Sequence, residues 1–165
     1  MEIRGIVVSG GPIPSAIILA PAEDSGMRGE LPISVGTFES SAVGMGLRGH
    51  DHPRPMTHDL MLNVIESLGA TLESVGIVRV EGRTFFATLT LTDAQGETIA
   101  IDARPSDALA LAVRRHVPIF ADEEVLQTAS TPDFDGVRKA EQEVEMSAFH
   151  DFVENLSPED FTANK

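Results

Sequence analysis

Three strand-like runs, two of them alternating apolar and polar residues and all separated by links of three or four residues, limit most sharply what this chain can fold into. The first covers residues 72–81. The second, 84–92, sets Phe85, Ala87, Leu89 and Leu91 against Thr88 and Thr90. The third, 97–103, sets Ile99 and Ile101 against Ala100 and Asp102. A period of two marks strands with one buried face. The links Glu81-Gly82-Arg83 and Asp93-Ala94-Gln95-Gly96 have hairpin length, so the runs predict an antiparallel meander.

A sheet with one apolar face needs a cover, and two helical segments flank the meander. The first opens at Thr57, expected as N-cap, with His58 and Asp59 in the first turn. Leu60, Met61, Val64, Ile65 and Leu68 form its apolar stripe, and Gly69 stands where a terminating glycine belongs. The second covers 104–116, with Ser106 as the expected cap and Asp107 complementing the helix dipole. Leu109, Ala110, Ala112 and Val113 bury it on more than one side, and Arg114, Arg115 and His116 suit its C-terminal end.

Upstream, residues 3–9 and 15–20 read as strands around a Gly/Pro turn, and 30–35 as a third. Phe38, Ala42, Val43 and Leu47 recur at helical spacing after Gly36. Downstream, 117–120 reads as a last strand and 122–128 as a helical turn. Residues 129–137 form a polar linker. An amphipathic helix over 138–155 then sets Val144, Ala148, Phe149, Phe152 and Leu156 against a face of acids. The expected fold class is α+β: a mixed or antiparallel sheet of N-terminal strands plus the three-strand meander, packed with two or three helices. The expected boundaries are 1–128 for this domain, 129–137 for the linker and 138–165 for the acidic C-terminal helix and tail.

The 165 residues suit one domain with its own core. Cysteine is absent, so a metal site must use His, Asp, Glu, backbone or water. Apolar runs fall well short of the ~20 residues of a membrane span. The first residues lack the basic-then-apolar pattern of a secretory signal. The expected location is cytoplasmic, with no membrane partner. Net charge is −14, concentrated at residues 121–165, which hold 12 acids and 3 bases. Such a balance repels a phosphate backbone and opposes non-specific nucleic-acid binding. All nine bases in residues 1–120 are arginines, whose planar forks suit phosphates and carboxylates.

Two clusters could carry chemistry. Asp102 and Arg104 stand two apart at the end of a strand, and Asp107 opens the next helix. Arg54, His58 and Asp59 gather at the mouth of the other helix. If the two mouths converge, one pocket holds carboxylates, an imidazole and two guanidinium groups. His58, Asp59, Asp102, Arg104 and Asp107 would then be the catalytic candidates, with Arg54 on substrate and Asp102 and Asp107 on a divalent metal. Against this stands a structural reading. Asp59 and Asp107 neutralise helix dipoles, Arg104 locks the corner by pairing with Asp102 or Asp107, and Arg54 does so with Asp59. Glu39 is either a third carboxylate or another dipole compensator. His50-Asp51-His52 has the look of a metal tract, but histidines two apart in a loop chelate weakly and by accident. No P-loop, GxGxxG, GxSxG or HExxH pattern is present.

The stretches RPMTHDLMLNVIESLGA (Arg54–Ala70) and IDARPSDALALAVRRHVPIFADEEVL (Ile101–Leu126) resemble the signature blocks of the bifunctional nuclease domain family. Thr84-Phe85-Phe86-Ala87 and ELPISVGTFESSAV fit too, although Ser34 stands where a bulky aromatic is common. EVEMSAFHDFVENLSPEDF resembles the tail of many bacterial members. The likeness spans roughly residues 3–161. It implies an α+β fold, a homo-oligomer, and nuclease activity on RNA and DNA assisted by Mg²⁺ or Mn²⁺. It brings no accepted catalytic set, so the site residues above rest on chemistry. The other class the residues allow is a non-enzymatic, homo-oligomeric binding or regulatory module, with an arginine-lined site for an anion or a partner protein. The charge balance favours that class.

Overall fold

The computed structural model describes residues 1–8, 14–22, 29–49 and 53–131. The linker beyond residue 131, the 138–155 helix and the His50-Asp51-His52 run lie outside them. The described chain has α+β architecture, with seven strands in two sheets and four helices. Met1–Thr131 makes one compact unit.

Strands β1 (Glu2–Val7), β2 (Ser15–Ala20) and β3 (Leu31–Val35) form an antiparallel sheet in that order. Ile17, Leu19, Leu31 and Ile33 are its buried face. The meander is as expected: β4 (Thr71–Glu81), β5 (Thr84–Thr92) and β6 (Thr98–Ala103) pair antiparallel. Gly82 (φ 60°) and Gly96 (φ 84°) take the left-handed conformation its turns require. The Asp93 carboxylate ties the second turn by accepting from the Gln95 and Glu97 amides. A short β7 (Ile119–Ala121) runs parallel to β4, giving the order β6-β5-β4-β7.

Helices α1 (Thr37–Arg48), α2 (Thr57–Ser67), α3 (Pro105–Arg115) and α4 (Glu123–Ala129) complete the unit. Helix α3 is its axis, packing on α1, α2, β4 and β5. Every residue from Ala108 to Val113 is buried, as an apolar run without a polar face demands. After α4, Thr131 exchanges backbone hydrogen bonds with Glu30.

Several details differ from expectation. Ser106 does not cap α3. Arg104 is the N-cap, Pro105 takes the first helical position, where a missing N–H costs nothing, and Ser106 follows it inside the helix. Thr57 likewise lies inside α2, and the cap position falls to Met56, whose N–H donates to Asp59 Oδ2 at 2.9 Å. Most of the apolar stripe expected on α2 stays outside the core: Leu62 is buried and Ile65 packs against the core, while Leu60, Met61, Val64 and Leu68 are exposed. Phe38 and Leu47 are exposed on α1, where Ser40 and Val43 face inward. Ile99 and Ile101 are exposed on β6, the edge strand of its sheet. Gly69 behaves as expected. At φ 80° it sends its N–H to Glu66 O, and Ala70 N–H reaches Ile65 O, a Schellman closure.

Helices α1 and α3 cross at Gly46. A Cβ there would stand 2.5 Å from Val113 Cγ2 and 2.7 Å from Arg114 Nη1. Gly46→Ala gains helix propensity of about 1 kcal/mol but forces the helices apart, at a cost of about 1–3 kcal/mol. A net loss of stability is expected in denaturant titration. An unchanged or higher midpoint would show that the crossing has slack.

Candidate functional site

The mouths of α2 and α3 meet. His58, in the first turn of α2, places Nε2 3.4 Å from Oδ1 of Asp107, in the first turn of α3. The His58 side chain is only 14% exposed, so its ring is held while the Asp107 carboxylate stays reachable. Both residues sit where the sequence logic of helix starts puts them. An acid in the first turn is favourable beside free N–H groups, and the Pro105 start fixes the direction in which Asp107 leaves the helix.

Arg104 completes the junction. Its Nε donates to Asp107 Oδ2 at 2.8 Å and its Nη2 to Oδ1 at 3.2 Å, a bidentate fork. Nη1 reaches Glu39 Oε1 on α1 at 3.4 Å. Three helices thus contribute to one chain of groups running His58, Asp107, Arg104, Glu39. Burial alone would raise the Asp107 pKa. Hydrogen bonds from Arg104 and His58, and their charges, outweigh it, and the carboxyl lies below its ordinary value of 3.8. The Arg104 guanidinium is raised above its ordinary value, chiefly by its hydrogen bond to Asp107 and then by that charge, with Glu39 adding to both effects.

A depressed carboxyl gives a signed prediction. The stability that Asp107 contributes is fully present above the unfolded-state value and is lost as pH falls through the lower folded-state value. Taken from pH ~5 to ~2, wild type should therefore lose more of its thermal midpoint than Asp107→Asn. Parallel curves would show that the network contributes nothing to the fold.

Asp59, the neighbour of His58, goes elsewhere. Its Oδ1 accepts from Arg114 Nε at 2.7 Å. The Arg114 side chain is 9% exposed, and its Nη1 also donates to the carbonyls of Ala42 at 3.0 Å and Ala110 at 2.8 Å. This guanidinium ties α1, α2 and α3 together, a structural use of an acid that the sequence offered for catalysis.

Of the six residues singled out from sequence, the structure therefore joins three: His58, Arg104 and Asp107. Asp59 lies beside them in its own pair. Asp102 sits on β6 opposite Thr88 and is exposed, with no hydrogen bond or ion pair tying its side chain to Arg104, Asp107 or another described residue. Arg54 is exposed and makes no ion pair with a described residue, Asp59 included. Glu39 belongs to the junction, as the third-carboxylate reading allowed. Arg114 was read from sequence only as a charge at a helix end. Its signal was its spacing: seven residues from Asp107, it falls on the same face of α3, toward α2.

Among the described residues no three His, Asp or Glu side chains converge as a metal cage. The chain does present Glu39 and Asp107 to one shared cation, the Arg104 guanidinium. Mg²⁺ is commonly held by one or two carboxylates, with water and substrate phosphate supplying the rest.

The family model for the bifunctional nuclease domain matches residues 17–133, which take in all of these groups. A protein of Mycobacterium tuberculosis strain H37Rv, described as uncharacterized, is 39% identical over 137 residues, covering 81% of each chain. Bifunctional nuclease 1 of Oryza sativa subsp. japonica is 31% identical over 106 residues. That match covers 63% of this chain and 31% of the rice protein. The Bifunctional nuclease of Oryza minuta matches to the same extent.

Proposed function

The chain belongs to the bifunctional nuclease domain family, and from that premise we propose that it hydrolyses phosphodiester bonds of RNA and DNA in the cytoplasm with the help of Mg²⁺ or Mn²⁺. The observation that carries this reading is the convergence of His58 and Asp107 at 3.4 Å with Arg104 and Glu39 beside them. It supplies an oriented imidazole, a guanidinium and two carboxylates within one junction.

Each group has a role its chemistry fits. His58 exchanges a proton with the attacking water or the leaving oxygen, the task histidine performs most often in general acid–base catalysis. Asp107 orients that ring, as a carboxylate behind an imidazole does. Arg104, 66% exposed, is free to turn from the acids to a phosphate, where its fork matches two oxygens. Asp107 and Glu39 would hold the divalent cation. When bound, it supplies charge neutralisation at the phosphate and a more acidic water. It would also offset part of the repulsion between a nucleic acid and a chain of net charge −14.

The test is cleavage of single-stranded RNA and DNA by purified protein with Mg²⁺, with Mn²⁺ and with chelator. Metal-dependent cleavage that falls about 10²-fold or more in folded Asp107→Asn is the expected result. Equal rates in variant and wild type would assign the cutting to a contaminant.

A second reading has its own support. Asp59 and Asp107 are each already paired with an arginine, and α2 and β6 show Leu60, Met61, Val64, Leu68, Ile99 and Ile101 at the surface. An exposed apolar surface of that kind fits a homo-oligomer, and the arginines fit an anion or a partner protein. Stable self-association without cleavage under any metal would favour this binding module over the enzyme.

A further inference from the structure

Arg104 has a second side. It lines a cleft of about 300 Å³ between the starts of α1 and α3 and the β4–β5 turn, and Asp107 and His58 do not line it. The lining groups that matter are Gly36, Glu39, Arg83, Thr84, Arg104 and Ser106. Arg83 comes from the hairpin link; it is exposed and makes no ion pair with any described residue. The Glu39 carboxylate does not dominate the cleft. One oxygen contacts Arg104, and the other lies over Gly36, the N-cap of α1. Arg104 is shared between Asp107 and Glu39, so Arg83 is the lining cation that no described acid neutralises.

Ser106 is the independent observation. It is 6% exposed, yet no described residue hydrogen-bonds its hydroxyl. The oxygen is not sealed off, and Ser106 lines the cleft. Buried hydroxyls are almost always partnered, and one open toward a cleft is set to bind what enters. Ser106 also carries the free N–H of α3's first turn. Pro105 has none, and the amides of Asp107 and Ala108 return to Arg104 O. A hydroxyl, an N–H at a helix start and two guanidinium groups together form the chemistry of a phosphoryl site.

We propose that this cleft binds a phosphoryl group of a nucleotide, gripped by Arg83 and Arg104, with the Ser106 hydroxyl and N–H and the Thr84 hydroxyl as donors. The inference deepens the nuclease reading and rests on it for the ligand being a nucleotide. In that reading the cleft holds a phosphate neighbouring the one cut, with Arg104 standing between the two positions.

Binding is measured by calorimetry in chelator, so that no turnover intervenes. The probes are inorganic phosphate, adenosine, adenosine 5′-monophosphate and a 5′-phosphorylated oligonucleotide. Phosphorylated probes should bind and adenosine should not. Arg83→Ala should weaken binding about tenfold or more, and Ser106→Ala by several-fold, with both variants folded by circular dichroism. Tighter binding of the oligonucleotide than of the mononucleotide would identify a strand as the source. Equal binding of the two would identify a free nucleotide, and equal binding of inorganic phosphate the phosphoryl group alone. Affinity unchanged in both variants, or adenosine binding as well as its monophosphate, would overturn the proposal. The two readings fail separately. Phosphate binding without any cleavage sinks the nuclease alone, and cleavage without phosphate binding sinks the cleft alone.

Discussion

Arg114→Ala is expected to lower the stability of the fold by about 3–5 kcal/mol, the range for breaking a buried ion pair by removing one partner. The guanidinium is nearly buried and makes hydrogen bonds to Asp59, Ala42 O and Ala110 O. Its loss removes the link between α1 and α2 through α3 and leaves two things behind. One is a carboxylate without its guanidinium. The other is the Ala42 carbonyl without that donor. Unmet polar groups are the larger part of such losses, since the net value of a satisfied hydrogen bond is only about 1 kcal/mol. Asp59 is about one-third exposed and recovers some hydration, which places the result toward the lower end. Urea titration of wild type, Arg114→Ala, Asp59→Asn and the double variant separates these parts. Strong coupling between the two sites is expected, because once Arg114 is gone Asp59 has less left to lose. Additive losses, or a loss in Arg114→Ala below ~1 kcal/mol, would reduce the pair to a surface contact.

The second large effect concerns rate. His58→Ala is expected to lower kcat for nucleic-acid cleavage by about 10²–10⁴-fold, the usual contribution of a positioned general acid or base. KM should change little, since the imidazole does not grip the substrate. The pH–rate profile should also change shape, a readout that a purely structural histidine would not move. The loss should be confined to rate, because the His58–Asp107 contact is long at 3.4 Å and part-buried. The ion pair itself should account for no more than about 1 kcal/mol of any change in stability. A variant as active as wild type would remove the imidazole from the chemistry and leave Arg104 and the carboxylates to support a binding role.

What was readable in advance followed from local rules. The meander came from a period of two with short turns. Helix α3 came from an apolar run bounded by Pro105 and two arginines, and the start of α2 from His58 and Asp59 after a proline loop. What was not readable depended on partners far along the chain. Amphipathic spacing locates the apolar face of α2 without saying what covers it. In the fold, Leu62 is the buried residue, Ile65 packs beside it on the core, and the other four stripe residues stay outside. Ser106 looked like a cap because serine prefers that position, yet Pro105 moved the boundary one step earlier. The partner of Asp59 was sought in nearby Arg54, and the structure supplied Arg114, 55 positions away. Asp102 was joined to Asp107 by closeness in sequence, but a strand end and a helix start need not point the same way. The convergence of the two helix mouths was a conditional statement from sequence and became a distance of 3.4 Å.

The crossing at Gly46 reaches further than the stability of two helices. Glu39 lies seven residues from it on α1, about 10 Å at 1.5 Å per residue. A wedge as small as one methyl group, tilting α1 by ~5°, would swing the Glu39 end by nearly 1 Å at that lever length. Displacements of that size are enough to detune a reacting geometry. The spacing between an acid of one helix and a guanidinium at the head of another is thus set by a pivot that touches neither. For the proposed nuclease, variants that alter turnover should be sought at this hinge point as well as at Arg83 and Arg104.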